Sequence, residues 1–251
     1  MIHNANSTRL TAPAIAILCL LCLLHPGTAR AVSVDQIDDF EDGTLQGWMM
    51  GSNNITATHM TNITGGGPAG VGDNFLQVVA HEAELTGGGR LTFFNKVQWT
   101  GDYLSAGITA IAMDVNNFSS SEALNLRLAI NGGFLDSSFN FIGGLFATSA
   151  SVSLDSGSGW VHVVFPLIPG DLTAVSGRSG TTGNNALATL ANVTELRLLN
   201  SANTDWTGLA VTATLGIDNI STVPLPPAAL LFGSGLVGLG MWRRLARNPA
   251  V

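Results

Sequence analysis

The chain predicts an all-β protein, a single antiparallel β-sandwich over residues 32–222 with a short apolar segment at either side, and three observations carry that reading. Apolar residues recur at period two, the pattern of strands with one buried face. Clusters of glycine, asparagine and serine separate these runs, as turns between antiparallel strands do. Charged residues make up only 11% of the chain while glycine numbers 30 of 251, which suits short strands and polar turns.

The elements follow in chain order. Arg9 precedes an apolar run over 12–24, and Ala29-Arg30-Ala31 places small residues two apart after it. A basic region, an apolar helix and a small-x-small site define a signal peptide over 1–31, removed after Ala31 by signal peptidase once the Sec translocon has engaged it. Cys22 is not a lipidation site, because Leu21 stands where a small residue is needed. Within the domain, Leu124, Leu126, Leu128 and Ile130 point one way, with Asn125, Arg127 and Asn131 opposite. Ile111, Met113 and Val115 alternate in the same manner, as do Val161, Val163 and Phe165, with Pro166 closing the latter run. Strands are further expected over 75–80, 91–94, 139–146, 193–199 and 211–220, and one short helix over 185–190.

The C-terminal segment 223–251 divides into three parts. Val223, Pro224, Leu225, Pro226 and Pro227 form a proline motif; residues 228–242 are free of charge; Arg243 and Arg244 open a basic tail. Fifteen residues of α-helix reach roughly 22 Å, short of a hydrocarbon core about 30 Å thick. Gly233, Gly235, Gly238 and Gly240 weaken the helix further. The segment is expected to be a short transmembrane helix engaging the inner membrane transiently, with the arginines cytoplasmic and the β-domain outside. This order of parts resembles the sorting signal of PEP-CTERM proteins in its Val-Pro-Leu-Pro-Ala variant, from which Pro227 departs where alanine is usual. The resemblance implies an exosortase as processing partner, and a cell-surface or extracellular destination linked to exopolysaccharide and biofilm.

Removal of both ends leaves 17 acids against five cations (Arg90, Lys96, Arg127, Arg178 and Arg197), a formal charge of −12 over residues 32–223. Such a surface excludes nucleic acid as a partner. Cys19 and Cys22 both precede Ala31, so the mature domain carries no disulfide and no thiolate.

Two short motifs sharpen the fold. Residues 37–48 read Ile37-Asp38-Asp39-Phe40-Glu41-Asp42-Gly43-Thr44-Leu45-Gln46-Gly47-Trp48, and the last expected strand reads Leu215-Gly216-Ile217-Asp218-Asn219-Ile220. Together they resemble the galactose-binding-like jelly rolls, which include many carbohydrate-binding modules. The resemblance implies that the first and last strands are neighbours and that a structural Ca2+ bridges them. Alternation sets Asp39 and Glu41 on one face with Phe40 opposite, so Asp39, Glu41 and Asp218 are the expected ligands, joined by Asp73; calcium takes several carboxylate and carbonyl oxygens.

Sugar rings stack on aromatic faces, which nominates four tryptophans. Trp48 and Trp160 read as core, whereas Trp99 and Tyr103 flank the polar loop Thr100-Gly101-Asp102, and Trp206 follows Asn203-Thr204-Asp205. Trp99, Tyr103 and Trp206 are therefore the expected glycan contacts. Catalysis finds no constellation: His81-Glu82-Ala83-Glu84 lacks the second histidine of a helical zinc site, and Gly157-Ser158-Gly159 lies in a turn between strands. The sequence thus describes a secreted, non-enzymatic surface or matrix protein, or alternatively a module that binds the accompanying polysaccharide; a polysaccharide hydrolase or lyase has no motif in its favour. Intact mass of protein recovered from the cell surface is expected to give Val32 as first residue and a C-terminus between Leu225 and Ala228. Recovery of the arginines after Trp242 would instead make the tail a permanent anchor.

Overall fold

The computed structural model describes residues 31–225 apart from 85–86, 136, 139–140 and 176–184. In chain order the strands are β1 (Ile37–Asp38), β2 (Trp48–Met49), β3 (Met60–Ile63), β4 (Phe75–Ala80), β5 (Thr92–Asn95), β6 (Ile108–Asn117) and β7 (Leu124–Asn131). They continue with β8 (Phe134–Leu135), β9 (Phe141–Ile142), β10 (Leu145–Thr148), β11 (Val152–Leu154), β12 (Trp160–Pro166), β13 (Leu172–Ala174), β14 (Glu195–Asn200) and β15 (Ala213–Pro224). Two short helices, α1 (Asn53–His59) and α2 (Ala186–Leu190), complete the set.

Thirteen of these strands form two antiparallel sheets, and β8 and β9 pair with each other in a third, two-stranded one. The first runs β12-β6-β15-β4-β3, with β1 added along β15. The second runs β13-β10-β7-β14-β5-β2, with β11 added along β7. Their facing side chains make one core, in which Leu76, Ile111, Met113, Val115, Leu215 and Ile217 of the first sheet meet Phe93, Leu126, Leu128, Leu196 and Leu198 of the second. Period-two alternation anticipated that division, since every second residue of β7 enters the core.

Three expectations need correction. The run 139–146 is not one strand: Gly143 and Gly144 have φ of 76° and 139°, a conformation that ends β9 before β10 begins. The domain does not stop at 222. Val223 and Pro224 belong to β15, opposite Ala110 and Ile108, and the Leu225 N–H donates to Gly107 O at 2.9 Å. Finally, Arg127 is buried although its neighbours in sequence predicted a solvent face; its guanidinium donates to the carbonyls of Thr148, Ser149, Ser201 and Ala202. The helix expected over 185–190 is present, capped by the Asn185 side chain accepting from Ala188 N at 3.0 Å.

The N-terminal strand is held by a carboxylate. Asp38 is only 4% exposed, and its Oδ2 accepts the indole N–H of Trp48 at 2.8 Å and of Trp99 at 2.6 Å. Gln98 Nε2 adds contacts at 3.3 Å. Burial raises the Asp38 pKa, against the lowering by those hydrogen bonds. Asp38→Ala leaves two buried indole donors unpaired, each at about 1–3 kcal/mol. A loss of roughly 2–5 kcal/mol is expected in urea unfolding, and a smaller one for Asp38→Asn, whose amide oxygen still accepts. Equal midpoints for wild type and Asp38→Ala would refute this role.

Candidate functional site

The face of the first sheet that points away from the core is laid out by strand register. Gly216 on β15 stands opposite Asn116 on β6, which stands opposite Trp160 on β12; on its other side Gly216 faces Gln77 of β4, opposite Thr61 of β3. One step along, His162, Asp114 and Asp218 form a parallel row. One step the other way, the Phe118 N–H donates to Thr214 O at 2.9 Å, and Thr214 faces Val79.

At the head of this layout sits an aromatic cluster. Trp160 meets Phe75 edge-on with ring centroids 5.2 Å apart, and Phe118 at 6.0 Å with an interplanar angle of 88°. Phe75 is buried, Trp160 half-buried, and Phe118 43% exposed. The indole N–H of Trp160 donates to Gly66 O at 3.0 Å, which fixes the ring under the glycine-rich 64–74 loop. Gly216 makes the arrangement possible, because a Cβ there would lie 2.6 Å from Phe118 Cε2 and 3.0 Å from Trp160 Cη2.

Phe118 also forms one wall of a groove of about 320 Å³ lined by His81, Ser120, Glu122, Thr212 and Thr214. Its segment is anchored on both sides. Asn117 Nδ2 donates to Glu122 O at 2.7 Å and Asp155 O at 3.2 Å, and the Ser119 hydroxyl accepts from Thr214 N at 3.1 Å. An exposed ring beside fixed hydroxyls and a carboxylate can stack on an apolar sugar face while hydrogen-bonding its rim.

The row beside it is acidic. Asp114 Oδ1 lies 2.9 Å from His162 Nδ1, and Asn219 Nδ2 donates to Asp114 Oδ2 at 2.9 Å and Asp218 Oδ2 at 3.2 Å. Asn219 adopts φ 51°, which asparagine tolerates better than most residues, at a register shift that follows Asp218. Asp218 is 1% exposed. Burial pushes its pKa up from its ordinary 3.8 to about 7, the Asn219 backbone N–H opposes this, and the charges of Asp73, Asp114 and Glu41 add to it. A carboxyl raised in this way favours folding while protonated; its contribution is complete below pH 3.8 and is lost as pH rises to about 7.

The expected glycan contacts are elsewhere. Trp99 and Tyr103 are fully buried, the first bound to Asp38 and the second donating its hydroxyl proton to Trp99 O at 2.9 Å. Trp206 is 3% exposed and lies under the Arg197 guanidinium at 4.1 Å. All three are packing residues, and the polar loops beside them cover rather than present them. Trp160 is the reverse: read as core, it lies on the outward face. Phe118 was missed, although an aromatic between Asn116-Asn117 and Ser119-Ser120-Ser121 is a visible signal.

Of the expected calcium ligands, Glu41 and Asp73 both lie within electrostatic reach of Asp218, as does Asp114. Asp39 is not among them. β1 ends at Asp38 and Phe40 has φ 56°, so the alternation that paired Asp39 with Glu41 does not hold. Asp39 Oδ1 instead accepts from Glu41 N and Gln46 Nε2, both at 3.3 Å. Among the described residues no three of His, Cys, Asp and Glu are placed as a metal-holding group. Of the processing residues, Ala31 is the first described; Ala29, Pro226, Pro227, Arg243, Arg244 and the apolar run 228–242 lie outside the described residues. Among those described, no helix is long and apolar enough to cross a membrane.

No family model and no curated protein matches the chain. Several solved structures do. A family 11 carbohydrate-binding module from Clostridium thermocellum, in complex with a β-1,3-1,4-mixed-linked tetrasaccharide, is 16% identical with a TM-score of 0.44, covering 77% of this chain and 97% of that one. The xylan-binding CBM22-1 domain of Paenibacillus barcinonensis Xyn10C is 14% identical with a TM-score of 0.43, covering 78% and 99%. An exo-β-agarase is 12% identical with a TM-score of 0.49 over 78% of this chain but only 26% of its own.

Proposed function

We propose that the chain is an exported, non-enzymatic glycan-binding protein whose binding face is the outward surface of the six-stranded sheet. The observation that carries this is the exposed Phe118 ring, braced by Trp160 and Phe75 over Gly216 and continuous with a hydroxyl-lined groove. A large ring left 43% exposed and held rigidly is a stacking platform that loses little side-chain entropy on binding. Export rests on the signal-peptide pattern before Val32, and surface delivery on the proline motif and basic tail, with the Sec translocon and an exosortase as processing partners. Exopolysaccharide is the ligand that setting supplies.

A structural Ca2+ belongs to the same reading. The donors would come from Asp218, Asp73, Glu41 and Asp114, hard oxygens of the kind calcium takes, which the ion would have to draw together, since no three of them form a metal-holding group as placed. The support is a buried carboxyl whose ionisation three neighbouring acids oppose. Bound Ca2+ would supply the countercharge that this group lacks, and so fasten β15 to the segment after β1.

Affinity electrophoresis of the full chain through gels containing soluble neutral polysaccharides is expected to show retardation. Phe118→Ala abolishes it and Trp160→Ala weakens binding about tenfold, or roughly 1.4 kcal/mol; free migration in every polysaccharide would remove the reading. In EDTA the melting midpoint is expected to fall between pH 5 and pH 8 as Asp218 ionises, Ca2+ to restore it, and Asp218→Asn to abolish both responses. A midpoint indifferent to EDTA and Ca2+ would end the cation proposal.

A further inference from the structure

The cations of the domain are segregated from this face. Among the described residues, Arg127 is buried on β7, bound to four carbonyls. Arg197 and Lys96 both pair with Glu195, where β14 pairs with β5 in the second sheet. Arg90, just before β5, donates to Gly208 O. Arg178 lies outside the described residues. The outward face of the first sheet carries Asp114 and Asp218, the charges of Asp73 in the 64–74 loop and of Glu41 after β1 act on Asp218, and Glu122 lies in the adjoining groove; among these described acids only Asp114 has an ion-pair partner, His162 at 2.9 Å.

The spacing makes that asymmetry act on a ligand. Asp114 lies two residues from Asn116 along β6, and Asn116 is the register partner of Trp160. Two residues of strand are about 7 Å, inside the Debye length of about 8 Å at physiological salt. Glu122 lines the same groove as Phe118. A sugar stacked on Phe118 and Trp160 therefore lies in a negative field, and none of the domain's described lysines or arginines is placed on this face to pair with an acid group. One divalent cation among Asp218, Asp73, Glu41 and Asp114 would not reverse this, because two positive charges do not neutralise four carboxylates.

From this geometry we infer that the platform selects against acidic glycans: its ligand class is a polysaccharide without uronate, sulfate or phosphate groups, and Glu122 and Asp114 are specificity-determining residues. The inference rests on the glycan-binding reading above, and the two fail differently. The probes are a neutral β-glucan and two derivatives of it at equal substitution, one carboxymethylated and one aminoethylated, titrated into the full chain with and without Ca2+. At low ionic strength the carboxymethyl form is expected to bind at least about tenfold more weakly than the aminoethyl form. High salt closes that gap, because screening removes it. Glu122→Gln and Asp114→Asn each narrow it. Carboxymethyl binding equal to aminoethyl binding, or the carboxymethyl form bound preferentially in Ca2+, overturns the inference and leaves the glycan reading intact. Absence of binding to all three probes overturns both.

Discussion

Both indole N–H groups of the core tryptophans Trp48 and Trp99 end on one oxygen, Oδ2 of Asp38. That carboxylate joins three parts of the chain that have no covalent tie: β1, the start of the second sheet at β2, and the loop leading to Tyr103. With no cysteine after position 22, the domain has no disulfide to do so. β1 in turn lies along β15, with Ile37 opposite Ser221, so the same pin seats the last strand at its C-terminal end. The Val32 N–H donates to Thr100 O and the Thr222 hydroxyl to Ser33 O, closing the seam. A buried acid is an expensive tie, since burial alone disfavours its charge; two indole donors and Gln98 offset that cost.

The candidate site depends on β15, the strand so seated. β15 is flanked by β6 and β4, and it contributes Thr214, Gly216 and Asp218 to the outward face. Gly216 gives the aromatic rings room, and Asp218 gathers the acidic row. The face thus combines an exposed ring with a row of acids, both set by successive outward positions of a single strand. Packing density explains why this works only with glycine at 216: a methyl group at 2.6 Å from Phe118 has no space to occupy.

Much of this was legible from residues alone, and what was not has a physical cause. The strand pattern over 124–130 and 111–115 gave the sandwich, because each run has one apolar face. On β12 the pattern fails: Trp160 and Val164 alternate with Val163 and Phe165, so both faces are apolar and period two cannot say which is buried. Only the sheet partner decides, and β6 presents Asn116 and Asp114 to the Trp160 side. On the first strand Asp38 and Phe40 are both buried, as an alternation with Asp39 and Glu41 opposite Phe40 requires; what alternation could not show is that β1 ends at Asp38 and that Phe40 turns to φ 56°, so the extended backbone does not continue to Glu41. Trp99 and Trp206 looked exposed from their polar neighbours in sequence, but a loop can be polar and still lay its aromatic residue against the core.

On the proposed reading, ligand meets the first sheet's outward face at Phe118 and Trp160 and not at the buried tryptophans. Amide and indole NMR signals followed during titration with a neutral β-glucan oligosaccharide test it directly. On that reading the Trp160 indole N–H and the amides of Phe118, Ser120 and Gly216 shift, with the Trp48 and Trp99 indole signals unmoved. Shifts confined to Trp206 and the second sheet, with Trp160 and Gly216 unchanged, would contradict it.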